Sequence, residues 1–186
     1  MGIDPGSNAC GFSLVSIDLE TFKETVVDSY TVHSKDLLRS RRTLAIMRGE
    51  KEARLSGYRD AMNDVLQRWD PDAIVMEHPF MGKFAATFGV LKEQLMIYRV
   101  CIWDHNPRLM VKMMSPSEIK KHVGVKGRSS DKNDMLKALI ARKDVSYSDS
   151  IEVKSLDEHS VDSACAALAE ADYLKGLFYE AMATRR

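Results

Sequence analysis

The segment that most restricts the fold is Ala73-Ile74-Val75-Met76-Glu77. Four apolar residues in a row show no alternation, and the run has strand length. A strand apolar on both sides lies inside a sheet and needs cover on both faces, as in parallel α/β sheets. A carboxylate closing such a strand is costly unless it is paired or binds a metal. Amphipathic segments on either side supply the cover. Leu55, Tyr58, Met62, Val65 and Trp69 recur every three or four residues and predict a helix that Asp70-Pro71-Asp72 ends. Phe84, Phe88, Leu91, Leu95 and Tyr98 predict a second helix over 81–104.

The other elements follow from local signals. Residues 9–19 and 24–33 read as strands joined by a turn near Glu20–Lys23, 108–114 reads as another strand, and the chain from Asp36 onward reads as helical. Ser115-Pro116-Ser117-Glu118 has the form of a capping box with Pro at the first helical position. Gly124–Ser130 is a Gly- and base-rich loop, Asp131–Arg142 a helix, and 144–154 irregular. A long helix is expected over 156–180, capped by Ser155 with Glu158 completing its box. The order β-β-β-α-β-α-β-α-α predicts an α/β fold, a central mixed sheet with helices on both faces. A chain of 186 residues fits one domain, 1–186. Its three cysteines, Cys10, Cys101 and Cys165, are odd in number and far apart. That pattern favours a reducing compartment over a disulfide framework or a zinc cage, and the expected location is the cytoplasm, a host's for a phage-encoded chain, with an organellar matrix as the alternative. The N-terminus lacks the basic-then-apolar pattern of a signal peptide. No apolar run approaches the roughly 18 residues of a membrane span.

Net charge is zero, with 27 Lys+Arg against 27 Asp+Glu, so only local charge could attract a polyanion. Local charge is uneven. From Lys112 to Lys143 nine Lys/Arg face three acids, whereas Asp144–Glu180 holds nine acids and two lysines. A second basic stretch runs from Arg39 to Arg54. Such runs are commonly solvated helix faces; the functional reading is two patches that follow a phosphate backbone.

Three acids stand apart from solvated faces. Asp4 closes Gly2-Ile3-Asp4 before Pro5-Gly6, at a strand end with an abrupt turn. Glu77 closes the buried strand. Asp162 lies early in the last helix on a stripe of small residues. His159 precedes it by three and Glu158 by four, so either shares its face; with Glu158 assigned to the cap, His159 is the expected partner of Asp162. Oxygen-rich donors with one nitrogen suit Mg²⁺ or Mn²⁺ rather than zinc. Two such ions about 3.5–4 Å apart serve in-line phosphodiester hydrolysis.

These residues, in this order, resemble the RuvC family of Holliday-junction resolvases, which have the ribonuclease-H-like fold. Gly2-Ile3-Asp4-Pro5-Gly6-Ser7 with Gly11 is similar to the family's opening strand, and Glu77-His78-Pro79-Phe80-Met81-Gly82-Lys83 to its second motif. Lys120 and Lys132 fall in a basic segment around Gly124, and His159-Ser160-Val161-Asp162-Ser163-Ala164 is similar to the closing helix. The resemblance implies catalytic residues Asp4, Glu77, His159 and Asp162 holding two Mg²⁺, with Mn²⁺ able to substitute. It implies a homodimer acting on branched DNA, with no small-molecule substrate. Phe80 would help open base pairs, and Lys83, Lys120, Lys121, Lys126, Arg128 and Lys132 would grip DNA. The chain departs from the pattern in three places: only Met1–Ile3 precede Asp4, Arg39–Arg54 is inserted relative to bacterial members, and His78-Pro79 alters the second motif. Two other readings share these residues: a nuclease cutting RNA–DNA hybrids or other branches, and a non-catalytic nucleic-acid-binding module.

Overall fold

The computed structural model describes residues 1–79, 85–125 and 133–184. Six strands form one sheet: β1 (Gly2–Asp4), β2 (Ala9–Ile17), β3 (Glu24–His33), β4 (Ala73–Glu77), β5 (Met110–Met114) and β6 (Val145–Tyr147). Their spatial order is β5-β4-β1-β2-β3-β6. β1 and β3 run antiparallel to β2, while β1 with β4, β4 with β5 and β3 with β6 are parallel. The sheet is therefore mixed, and the apolar run 73–77 lies inside it between β1 and β5. β6 corrects the irregular reading of 144–154. Three residues are too few to show alternation, and this strand is defined by its ladder to β3 rather than by its own pattern.

Seven α-helices are described: α1 (Ser34–Ser40), α2 (Arg42–Arg48), α3 (Glu50–Trp69), α4 (Ala85–His105), α5 (Pro116–His122), α6 (Asn133–Ala141) and α7 (Glu158–Ala183). The helical stretch expected from Asp36 begins at Ser34 and is three pieces, broken where Arg41 leaves helical geometry and where Gly49 takes a φ of 93°. The box at Ser115 forms as expected, with Ser115 and Glu118 exchanging side chain-to-backbone hydrogen bonds. The second box does not. Asp157 caps α7, accepting from Ser160 N–H at 2.9 Å, while the Ser155 hydroxyl bonds back to Glu152 O in a short 3₁₀ turn.

The period-two rule separates the two faces of the sheet. Ile3, Cys10, Phe12, Ile74 and Met76 point to one side and pack with Tyr58, Met62 and Val65 of α3 and Leu95, Tyr98 and Ile102 of α4. Their neighbours Gly2, Gly11 and Ser13 point to the other, under α7, whose Val161, Ala164, Cys165 and Leu168 pack with Val75, α5 and α6. The register shifts between Leu14 and Val15, which leaves Val27 as an extra residue in β3. Side chains on the α7 side are small. A Cβ added at Gly2 would come within 2.1 Å of Ser163 O, and one at Gly11 within 2.0 Å of His159 O. Hydroxyls fill the remaining seam: Ser13 Oγ lies 2.7 Å from both Ser29 Oγ and Ser163 Oγ. The far part of α7 is fastened by ion pairs. Glu24, 1% exposed at the start of β3, takes Arg142 at 2.9 Å and Lys175 at 3.0 Å, and Arg142 also meets Asp172.

Candidate active site

The site lies where β1 and β4 end. Gly2 is level with Val75 and Ile3 with Met76, so one further step sets Asp4 beside Glu77 on the α7 side. Neighbouring strands are about 4.8 Å apart, which places two carboxylates side by side at the carboxyl ends of parallel strands. α7 crosses above them because Gly2 and Gly11 allow its backbone close. Its first turns therefore hang His159 and Asp162 over the strand ends. Asp4 is 8% exposed and accepts a 2.7 Å hydrogen bond from His159 Nδ1, assigned as protonated because a carboxylate can only accept. The expected pairing of His159 with Asp162 is thus corrected: the imidazole is bonded to Asp4, and that bond holds its pKa above the ordinary histidine value.

Electrostatics tie the remaining groups together. Burial pushes the Glu77 carboxyl up to about 8, and the charges of Asp4 and Asp162 add to the effect. Asp162 is raised to about 7, first by burial, then by Asp4 and Glu158. Lys120, near the end of α5, and His159 oppose both shifts. The sequence pattern assigns Glu158 to a capping box. With Asp157 as the cap, Glu158 instead adds negative charge at the site. Sequence reasoning also misses the hydroxyl seam and the two glycine contacts; alternation of Gly11 and Ser13 on one face of β2 is the available signal.

These donors fit a divalent cation. Burial first, and then the mutual repulsion of the carboxylates, disfavours the charged forms of Glu77 and Asp162, and a hard cation among them would favour those charged forms. Among the described residues no group of three or more His, Cys, Asp or Glu side chains stands close enough together to hold a metal ion by itself. Mg²⁺ does not need one, since it usually keeps water and takes one or two carboxylates plus substrate phosphates.

The other expected residues divide in two. Lys120 and Lys121 lie on α5, which starts from β5 at the same end of the sheet, where His78 N–H donates to Met114 O at 2.7 Å. Lys120 acts electrostatically on the carboxylates and Lys121 is exposed. Phe80, Lys83, Lys126, Arg128 and Lys132 lie outside the described residues.

The loss of protons from this cluster has a defined sign. Between the ordinary carboxylate range and about pH 7–8, the native chain binds protons at Glu77 and Asp162 that the unfolded chain has released. Their contribution to stability therefore falls as pH rises through that window. Glu77→Gln removes one such group. In metal-free protein near pH 9 it should melt about 2–6 °C above the parent, equivalent to roughly 1–2 kcal/mol after solvent screening. At pH 5 the two should melt together. Equal melting temperatures at both pH values would show that Glu77 carries no such burden.

A mixed sheet in this order, with helices on both faces and one laid across the strand ends, is a ribonuclease-H-like fold. Residues 1–151 match the family model described as crossover junction endodeoxyribonuclease RuvC, and the chain belongs to this family. It is an endodeoxyribonuclease that cleaves DNA junctions, and enzymes of this type depend on divalent metal. Among solved structures, Thermus thermophilus RuvC in complex with a Holliday junction substrate is similar at 17% identity and a TM-score of 0.61, covering 97% of this chain and 94% of its own. The yeast mitochondrial Holliday junction resolvase is similar at 12% identity and a TM-score of 0.65, with coverage of 96% and 82%. The fowlpox virus resolvase, in complex with Holliday junction DNA, gives 14% identity, a TM-score of 0.56 and coverage of 93% and 96%. No curated protein sequence matches the chain.

Proposed function

We propose that Asp4, Glu77 and Asp162, with His159 bonded to Asp4, hold two Mg²⁺ and cut each of two strands of a four-way DNA junction. Mn²⁺ would substitute. The observation that carries this reading is the level placement of Asp4 and Glu77 on adjacent parallel strands beneath the turn of α7 that bears Asp162. The ions would supply the charge that activates water and stabilises the departing 3′ oxygen. The chain's own residues do the rest. Asp4 is kept in place by the His159 Nδ1–H, which holds a proton there and orients the carboxylate. Lys120 offers a positive charge that can face a phosphate next to the scissile one.

Two symmetric nicks require two sites related by a two-fold axis, so we propose a homodimer. Of the stripe Phe84, Phe88, Leu91 and Leu95, Phe88 and Leu91 are half-buried. Leu95 is 6% exposed in the core, and Phe84 lies outside the described residues. The exposed apolar stripe on α4 is Met96, Val100 and Trp103, at spacings of four and three, and we assign the contact to it.

The test is cleavage of an immobile four-way junction beside a Y-fork, a linear duplex and an RNA–DNA hybrid, with and without Mg²⁺. Mg²⁺-dependent paired nicks in the junction, made by a species that sediments as a dimer, are expected. Preferential cutting of the hybrid would overturn the substrate. A monomer near 21 kDa in the presence of junction would overturn the assembly.

A further inference from the structure

α1 and α2 bury almost nothing. Only Ser34 of α1 is buried, and no residue of α2 is. Neither helix has a side-chain hydrogen bond at its N-cap, and seven-residue helices are marginal by themselves. What holds the pair is Leu37, packed onto Gly57 of α3, and a 2.6 Å ion pair from Arg41 to Asp60. The rest of what this segment presents is charge. Between Ser34 and Arg48 stand five Lys/Arg and one Asp, in a chain of zero net charge. Arg41 is engaged by Asp60. Lys35, Arg39, Arg42 and Arg48 are exposed and make no ion pair among the described residues. Lys35 and Arg39 share one side of α1, four residues apart.

The segment also starts at the candidate active site. Ser34 N–H donates to Asn8 O at 2.8 Å, within the turn that follows Asp4, and His33 pairs with Ala9. From there α1 runs onto α3, on the side of the sheet opposite α5 and α7. Lys120 therefore approaches the carboxylates from one side of the sheet, and the free cations of α1 and α2 lie on the other.

We propose that Lys35, Arg39, Arg42 and Arg48 form a second phosphate-binding surface, which takes the backbone of one duplex arm of the DNA as that arm leaves the active site. The proposal rests on the junction-nuclease reading and deepens it. Unpaired exposed cations carry no partner that must first be displaced, and each phosphate they neutralise releases condensed counterions. Three of the four are arginines, whose planar fork matches phosphate geometry. Because the surface starts at the site and extends away from it, it reads arm length rather than the junction centre. Ile46 and Met47, 76% and 72% exposed at the end of α2, are the features that would instead suit a protein partner.

The experiment is junction affinity as a function of salt, for the parent chain and for Lys35→Ala/Arg39→Ala/Arg42→Ala/Arg48→Ala combined, with Leu37 and Arg41 left in place. The log–log slope should flatten by about 0.9 for each phosphate no longer neutralised, about two to four in all. The difference between parent and variant should vanish on a junction whose arms are trimmed to a few base pairs. Arg39→Lys/Arg42→Lys/Arg48→Lys, which keeps the charge, should retain the slope and guards against a folding defect. In the parent chain, amides 34–48 should gain hydrogen-exchange protection when junction is added. An unchanged slope in the alanine variant, beside a steep one in the parent, would overturn the proposal while leaving the nuclease reading intact. Junction affinity lost on Ile46→Ser/Met47→Ser but not on removing the cations would overturn it too, giving the DNA contact to the apolar end of α2. A parent chain that neither binds nor cuts the junction would remove the underlying reading, and the proposal with it.

Discussion

Asp4→Asn should cut a four-way junction at least about a thousandfold more slowly than the parent chain, while binding it with nearly the same affinity. The substitution keeps the shape of the side chain and its ability to accept from His159 Nδ1 at the present 2.7 Å. It removes the negative charge that faces Glu77 and Asp162. A thousandfold is about 4 kcal/mol of transition-state stabilisation, a magnitude ordinary for groups that act as a unit with a metal. Glu77→Gln and Asp162→Asn should behave alike, and the double variants should lose little more than the singles, because each change disables the same assembly. The measurement is single-turnover cleavage with saturating Mg²⁺, alongside binding in its absence. Asp4→Asn cleaving at the parent rate would sink the assignment.

Gly11→Ala should lose both stability and activity, which separates it from the carboxylate variants. The new methyl would sit 2.0 Å from His159 O and 2.5 Å from its carbonyl carbon. Those are backbone atoms of α7, so no side chain can turn aside and the helix must lift. Overpacking of this kind costs about 1–3 kcal/mol, and lifting α7 carries His159 and Asp162 away from the strand ends. A displacement of about 1 Å can cost on the order of a hundredfold in rate. Gly2→Ala, within 2.1 Å of Ser163 O, should act in the same direction. A lowered melting temperature with cleavage at the parent rate would mean that the seating of α7 does not set the geometry of the site.

Much of this arrangement is legible in the chain because it rests on local pattern. The run 73–77 reads as an interior strand, and it is one. Leu55, Tyr58, Met62 and Val65 read as a buried stripe, and they pack in the core. Ser115 and Glu118 carry their cap in four residues, and it forms. The parts that sequence reasoning misses depend on distant partners. β6 exists through its ladder to a strand about 120 residues earlier. Ser155 and Asp157 are both competent caps two residues apart, and only the tertiary position of the chain decides between them. Thr31 bonds Asp157 at 2.6 Å, which favours the latter. The partner of His159 is hidden for the same reason. Helical spacing points it at Asp162, whereas the approach of α7 to β1 brings it to Asp4, 155 residues away.

That long separation has a consequence for synthesis. A ribosome adds roughly 5–20 residues per second, N-terminus first. Asp4 emerges early, Glu77 follows, and the helix bearing His159 and Asp162 comes only after β6. Throughout that interval the nascent polypeptide holds two of the four groups and lacks the element that seats the others. On the site proposed above, an interrupted translation product ending before residue 158 should be inert toward the DNA it could otherwise nick. Completion of α7 would then be what arms the enzyme, and a chain cut short of it should not become a loose nuclease.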